Sequence, residues 1–316
     1  MKEKLVTLAA RTFARLNTRS RLTVLTFHRF GAASGITREL VKHHVQFLAE
    51  HHEFVLPRDL GKEVPRKRLA MVTVDDCHRD ILDTLYPVCK ELGVPFVIAV
   101  PTDFFFRNDW LWFDQLYWIL ERAPANVQVK INGNAYSLDV NADVQKVKAL
   151  LKRMLPPERT SVLASLQQQL SITCPPAPPG DYGPVPLEQM REMLDSGLVE
   201  ICAHGVSHTI ATVLPPAQFA AELADSKREL EEYAGVEIPS FCYPNGEVGD
   251  FDAGTTAAVR NAGFRCALTS VEGINPSPFD PLLVKRIHAH KVRSAFEKDA
   301  SGLGSLQSMF ASQAAL

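Results

Sequence analysis

Two apolar runs of strand length, "RLAMVTVDD" (68–76) and "VPFVIAV" (94–100), restrict this chain more than any other feature. Between them Ile81, Leu85, Val88 and Leu92 recur at helical spacing, and Gly93 closes the pattern. A strand without polar alternation is covered on both faces, so its neighbours run parallel and helices return the chain across them. The same rhythm reappears in "RLTVLTFH" (21–28), "LVEICAH" (198–204), "SFCYPNG" (240–246), "FRCALTS" (264–270) and "PLLVKRIHAH" (281–290), with helical stretches between. About seven short strands alternating with helices predict an α/β fold, a distorted (β/α) barrel that is closed or nearly so.

The rhythm breaks over 105–182. "WLWFDQLYWILERA" (110–123) reads as an aromatic helix, and "VQVKINGNAYSLDV" (127–140) as a hairpin about Asn132-Gly133. Two helices separated by Pro156-Pro157 follow, then the proline-rich connector "CPPAPPGDYGPVP". This stretch is expected to be an insertion or lid within one barrel domain spanning 21–316. Before it, residues 1–20 predict an amphipathic helix, with Leu5, Leu8, Ala9, Phe13 and Leu16 set against Lys2, Lys4, Arg11, Arg15 and Arg19. Such a helix either packs on the domain or lies on a membrane surface. No apolar run approaches the roughly 20 residues of a membrane span, and the amino-terminal run is too short for a secretory signal. The expectation is a cytoplasmic protein, peripheral to the inner membrane if the helix binds lipid.

With 46% hydrophobic and 22% charged residues the chain has ordinary globular composition, and a formal charge of -2 gives no footprint for nucleic acid. The six cysteines are scattered without a CxxC pair, which argues against a zinc ribbon or a disulfide framework.

In a parallel barrel, functional side chains gather where strands end. Here those ends carry His28, then Asp75-Asp76, then His204 with His208 four residues on, then Tyr243-Pro244-Asn245-Gly246, and finally Arg286, His288 and His290. Two adjacent carboxylates repel each other and need a partner. Two histidines and one carboxylate are the protein ligands of a catalytic zinc site with open positions. Successive strand residues point to opposite sides, so one aspartate can ligate a metal while the other faces the attacking water as general base.

"TVDD", "HGVSH" and "FCYPNG", in that order, resemble the three motifs of the polysaccharide deacetylases, the NodB-homology carbohydrate esterases. The likeness extends over most of the chain, from "LTFHRF" through "WFDQL" to "AGFRCALTS" and "DPLLVKRI". It implies metal-dependent removal of N-acetyl groups from amino sugars of a polysaccharide, oligosaccharide or lipid-linked saccharide. It further implies Asp75 as base and Asp76, His204 and His208 as ligands of a divalent ion, zinc first, with cobalt or nickel as alternatives. The loop Tyr243-Pro244-Asn245 would then bind substrate and offer a backbone N–H to the oxyanion. His288, on one face with Arg286, is the first candidate acid, and His28 the second.

Three departures stand out. Cys77 replaces the glycine after the aspartates, Gly205 stands where Ser or Thr is usual, and the arginine often found before the Tyr-Pro loop is missing. Arg286 either replaces that arginine by holding Asp75 ionised or forms a structural ion pair. Two other functions compete: hydrolysis of formyl or small amides on the same fold, and carbohydrate binding without turnover. The pairs His43-His44 and His51-His52 are expected at the surface, Trp110, Trp112 and Trp118 either stack on sugar or pack the lid, and 61–68 reads as a solvated loop.

Overall fold

A computed structural model describes residues 2–16, 20–60 and 68–304. Arg19 and all but the last residue of the 61–68 loop lie outside the described residues. The chain opens with α1 (Lys2–Leu16), β1 (Arg21–Phe27), α2 (Arg38–Ala49), the two-residue β2 (Glu53–Phe54), β3 (Arg68–Val74), α3 (Leu85–Leu92) and β4 (Phe96–Val100). The insertion follows as α4 (Thr102–Arg107), α5 (Trp112–Arg122), the hairpin β5 (Gln128–Ile131) and β6 (Asn134–Ser137), α6 (Asn141–Lys152) and α7 (Pro156–Leu170). The βα rhythm resumes with α8 (Leu187–Asp195), β7 (Val199–Ala203), α9 (Pro216–Ala234), β8 (Ser240–Cys242), α10 (Ala253–Asn261), β9 (Cys266–Glu272), β10 (Asn275–Pro276), β11 (Val284–His288) and α11 (Arg293–Ser301).

Seven parallel strands close on themselves in the order β1-β3-β4-β7-β8-β9-β11, and β11 pairs back onto β1. This is the expected (β/α) barrel. β2 and β10 add short flanking pairings at the strands' amino ends, β2 on β3 and β10 antiparallel on β1. Alternation sorts the side chains into two cores. Leu25, Phe27, Val72, Val74, Ile98 and Ile201 face the helices, whereas Leu22, Val24, Met71, Val97, Ala99, Cys202, Cys242, Cys266 and Leu268 fill the barrel. Three cysteines and an alanine keep that interior layer small, and all six thiols are free.

The insertion is built around a separate core of Leu116, Ile119, Val129, Val147, Leu151, Leu163 and Leu166. The Asn132-Gly133 hairpin stands as expected, with Ile131 opposite Asn134. Pro156 does not divide the two helices but begins the second, since a first-turn proline loses no hydrogen bond there. The break itself falls at Arg153–Leu155.

α1 buries Ala10 and Ala14, pairs Arg11 with the buried Glu297 of α11 at 2.8 Å, and leaves Leu5, Leu8 and Leu16 exposed. It is therefore packed on the domain. The same helix pair corrects the reading of the histidine clusters as surface residues. His44 is buried under α11, its Nε2–H donating to His290 O (2.8 Å) and its ring stacking on Phe296 at 3.9 Å. His51 and His52 are buried too, and His52 meets Thr23 Oγ1 at 3.3 Å.

Candidate active site

The inward-facing rows of β1, β3 and β11 change from apolar to polar as they approach the carboxyl rim. Thr26, Thr73, Asp75 and Arg286 form one buried layer there. Arg286 is completely buried and every nitrogen is used. Nη1 and Nη2 donate to Asp75 Oδ1 and Oδ2, both at 2.7 Å, and Nε donates to Thr269 O at 2.6 Å. Thr26, Thr73 and Ser270 hydroxyls accept at 2.9–3.3 Å. Burial alone would raise the Asp75 carboxyl, but the Arg286 guanidinium, with His28 behind it, holds it well below the usual carboxylate range. His28 Nε2 lies 3.4 Å from Asp75 Oδ2. The Cys242 thiol lies 3.7 Å from Asp75 Oδ1, at the position preceding Tyr243.

Asp76 turns the other way. It has φ 70° and Cys77 has φ 61°, a left-handed pair in which the absent glycine would be at ease. Cys77 accepts the strained conformation with its side chain fully buried, and the Val185 N–H bonds its carbonyl at 2.9 Å. The turn aims Asp76 Oδ1 at His208 Nε2 (3.0 Å) and His204 Nε2 (3.6 Å). Neither imidazole meets that buried oxygen in hydrogen-bonding geometry. Three donor atoms of two histidines and a carboxylate thus converge within 4.8 Å, the set a divalent cation takes. The His204 Nδ1–H donates to Cys242 O at 2.7 Å, which leaves Nε2 its lone pair for a metal. Burial would raise Asp76, but the imidazoles of His208 and His204 hold it well below the carboxylate range.

The loop carrying the histidines depends on Glu222, which the sequence did not single out, and on Gly205. Glu222 of α9 accepts from the Val206 and Ser207 N–H groups and the Ser207 hydroxyl (2.6 Å for the last). Gly205 has φ 75°, and a Cβ there would lie 3.1 Å from the Glu222 carboxylate, so glycine fits this turn with less strain than the hydroxyl residue usual there.

Of the Tyr243-Pro244-Asn245 loop, only Asn245 lines the cleft. Tyr243 corrects the expectation of a substrate contact: its ring is buried against Phe241 and Phe251, and its hydroxyl bonds Thr256 Oγ1 at 3.4 Å. Its N–H is given to Leu268 O and that of Gly246 to Pro244 O, so Asn245 N–H is the donor this loop can offer. Pro244 packs beside Gly205, outside the cleft lining. His288 does line it, with Nε2 3.2 Å from Ser270 O and its ring 6.1 Å from that of His28.

The cleft holds about 520 Å³, the size of a small-ligand pocket. The insertion forms its far wall with Trp112, Phe113, Tyr117, Lys148, Lys152 and Arg159. Trp110 and Trp118 instead pack on each other and on Tyr182. The two readings of the tryptophans therefore divide between them. The basic wall residues and the His78–Asp114 pair were not found from the sequence, since on amphipathic helices charge normally means solvent.

Fold and site together define a (β/α)-barrel protein with an acid–histidine cluster at the carboxyl rim. Residues 166–267 match the family model described as polysaccharide deacetylase, the same family that the three motifs resemble. The match supports hydrolysis of acetyl groups as the reaction class. The structure is similar to that of IcaB from Ammonifex degensii (TM-score 0.56, 20% identity, 88% of this chain and 97% of that one). It is also similar to the deacetylase PplD of Streptococcus pyogenes in complex with acetate (0.54, 17%, 85% and 92%) and to a de-N-acetylase from Aggregatibacter actinomycetemcomitans (0.53, 16%, 86% and 95%). At these identities the likeness is one of fold. No curated protein matches the sequence. Among the described residues no helix is long and apolar enough to cross a membrane.

Proposed function

We propose that the protein is a divalent-metal-dependent hydrolase that removes N-acetyl groups from amino sugars of a polysaccharide, oligosaccharide or lipid-linked saccharide. The observation that carries this reading is the convergence of Asp76, His204 and His208 beside the buried Asp75–Arg286 pair. Asp76, His204 and His208 hold the cation, with zinc, cobalt or nickel all suited to the donor set. When bound, such an ion acts as a Lewis acid on the acetyl carbonyl and lowers the pKa of water.

The chain's own groups do the rest. Asp75 accepts a proton from the attacking water, and Arg286 keeps it ionised and oriented. His288, fixed through Nε2 on Ser270 O, delivers a proton to the leaving amine through its other nitrogen. His28 positions Asp75 from the solvent side, and the Asn245 N–H donates to the oxyanion. We include in the proposal a cytoplasmic protein that meets the inner membrane through the exposed Leu5, Leu8 and Leu16 of α1; flotation with anionic vesicles tests that part.

The central test is metal analysis of the purified protein with an acetate-release screen over acetylated chitooligosaccharides. One divalent ion per chain and metal-dependent acetate release are expected. A protein that binds no divalent ion when supplied with one refutes the reading.

A further inference from the structure

The far wall of the cleft carries more positive charge than a neutral sugar needs. Arg159 of α7 is 4% exposed, and no carboxylate among the described residues pairs with it within ion-pair distance. Its Nη2 donates to Thr209 Oγ1 at 3.0 Å, one residue beyond His208, and its guanidinium lies 5.3 Å from the Trp112 ring centroid. The closest acid it feels is Glu222, whose oxygens are already spent on Val206 and Ser207. Burial lowers Arg159 only to about 10, so it stays charged at neutral pH. Lys148 of α6 reaches the same wall, bonded to the Tyr117 hydroxyl and paired with no carboxylate among the described residues. Lys152 beside it is opposed only by Glu247, which is exposed. A buried cation next to a metal ligand raises the cost of bringing in a divalent ion, unless an anion comes to lie between them.

We propose that Arg159 and Lys148 select an acetylated amino sugar that itself bears an anionic group, a phosphate or a carboxylate. The inference rests on the deacetylase reading and names the substrate class of that site. Arginine's planar fork suits bidentate contact with either group, and Trp112 and Tyr117 hold the two cations in place while offering ring faces to the sugar.

Glucosamine, glucosamine 1-phosphate and muramic acid have no acetyl group to lose, so titration calorimetry on the metal-loaded full chain reads binding without turnover. At least one anionic ligand is expected to bind about ten-fold or more tightly than glucosamine, the effect of one charge-assisted hydrogen bond. Which of the two binds better identifies the group. Lys148→Gln and Arg159→Gln should each reduce that preference several-fold. Lys148 is only half-buried on α6, so its variant remains informative if Arg159→Gln fails to fold. Equal affinity for all three ligands, or a preference that survives in the variants, overturns the proposal. Acetate release from the N-acetylated counterparts is scored separately, so loss of the deacetylase reading and loss of the anion preference are distinguishable.

Discussion

The carboxyl rim of the barrel and the insertion above it line the same cleft, yet different forces hold them. At the rim, the Arg286–Asp75 pair is buried and fully satisfied: Arg286 has no exposed surface and spends its donors on Asp75, Thr26, Thr73, Ser270 and Thr269 O. The insertion stands on its own apolar core and touches each motif loop through polar contacts. His78 after the aspartates meets Asp114 of α5 at 2.6 Å, and Arg159 of α7 meets Thr209. At the third loop Arg153 reaches Asp250 at 3.0 Å, while Lys152 reaches Glu247 at 3.4 Å. The contrast separates two tasks. Groups proposed for the reaction belong to the barrel scaffold, whereas groups proposed to meet the rest of the substrate sit on the insertion and its separate core.

The sharpest way to break this contrast is to compare one ion pair from each region. Arg286→Leu leaves Asp75 buried and unpaired, so a loss of about 3–5 kcal/mol is expected in urea unfolding. Lys152→Leu breaks a pair whose carboxylate, Glu247, is 67% exposed, and should cost no more than about 1 kcal/mol. Equal costs would mean that the insertion is as integral as the rim.

Next in size is Asp75→Asn. Turnover should fall about 10²-fold or more while metal content stays near that of the parent protein, since the proposal makes Asp75 the base and Asp76 the ligand. Metal lost together with activity would exchange those roles.

The acid is tested by leaving group. His288→Ala should depress hydrolysis of an N-acetyl amide by about 10²-fold, and that of an activated phenyl acetate far less, because a phenolate departs without a proton. His28→Ala should slow both substrates by similar, smaller factors. If His28→Ala shows the selective loss instead, the acid role moves to it.

The smallest effect concerns the tether. Asp114→Ala strands the fully buried His78, and a loss of about 1–3 kcal/mol is expected for the unsatisfied group. A thermal melt that stays unchanged would show that water or another group replaces the carboxylate, and that the insertion is not anchored there.

Much of the rim could be read directly from residues. Continuous apolar strands, several of them running into Asp, His or Arg, announced a parallel barrel and its working end, because period-two alternation and strand-end placement are local properties. The spacing of His204 and His208 is local too, whereas the opposite senses of Asp75 and Asp76 come from the left-handed turn at Asp76 and Cys77. Tyr243 was misassigned because a strand-end aromatic can turn either way, and the space between β8, α10 and the following loop drew it inward. His44 was misassigned because α11, more than 240 positions away in the chain, covers α2, and His52 because it packs on Thr23 of β1.

The sequence by itself determined the elements, their order and the residue types at each strand end, since these depend on neighbours a few positions apart. Only the tertiary structure decided that β11 closes onto β1 and so delivers Arg286 to Asp75 across 211 positions. It also decided that Arg159 and Lys148 face the cleft and not water. A side chain's charge is written in the sequence, but its partner and its dielectric surroundings are set by segments distant along the chain, and those surroundings decide what the charge can do.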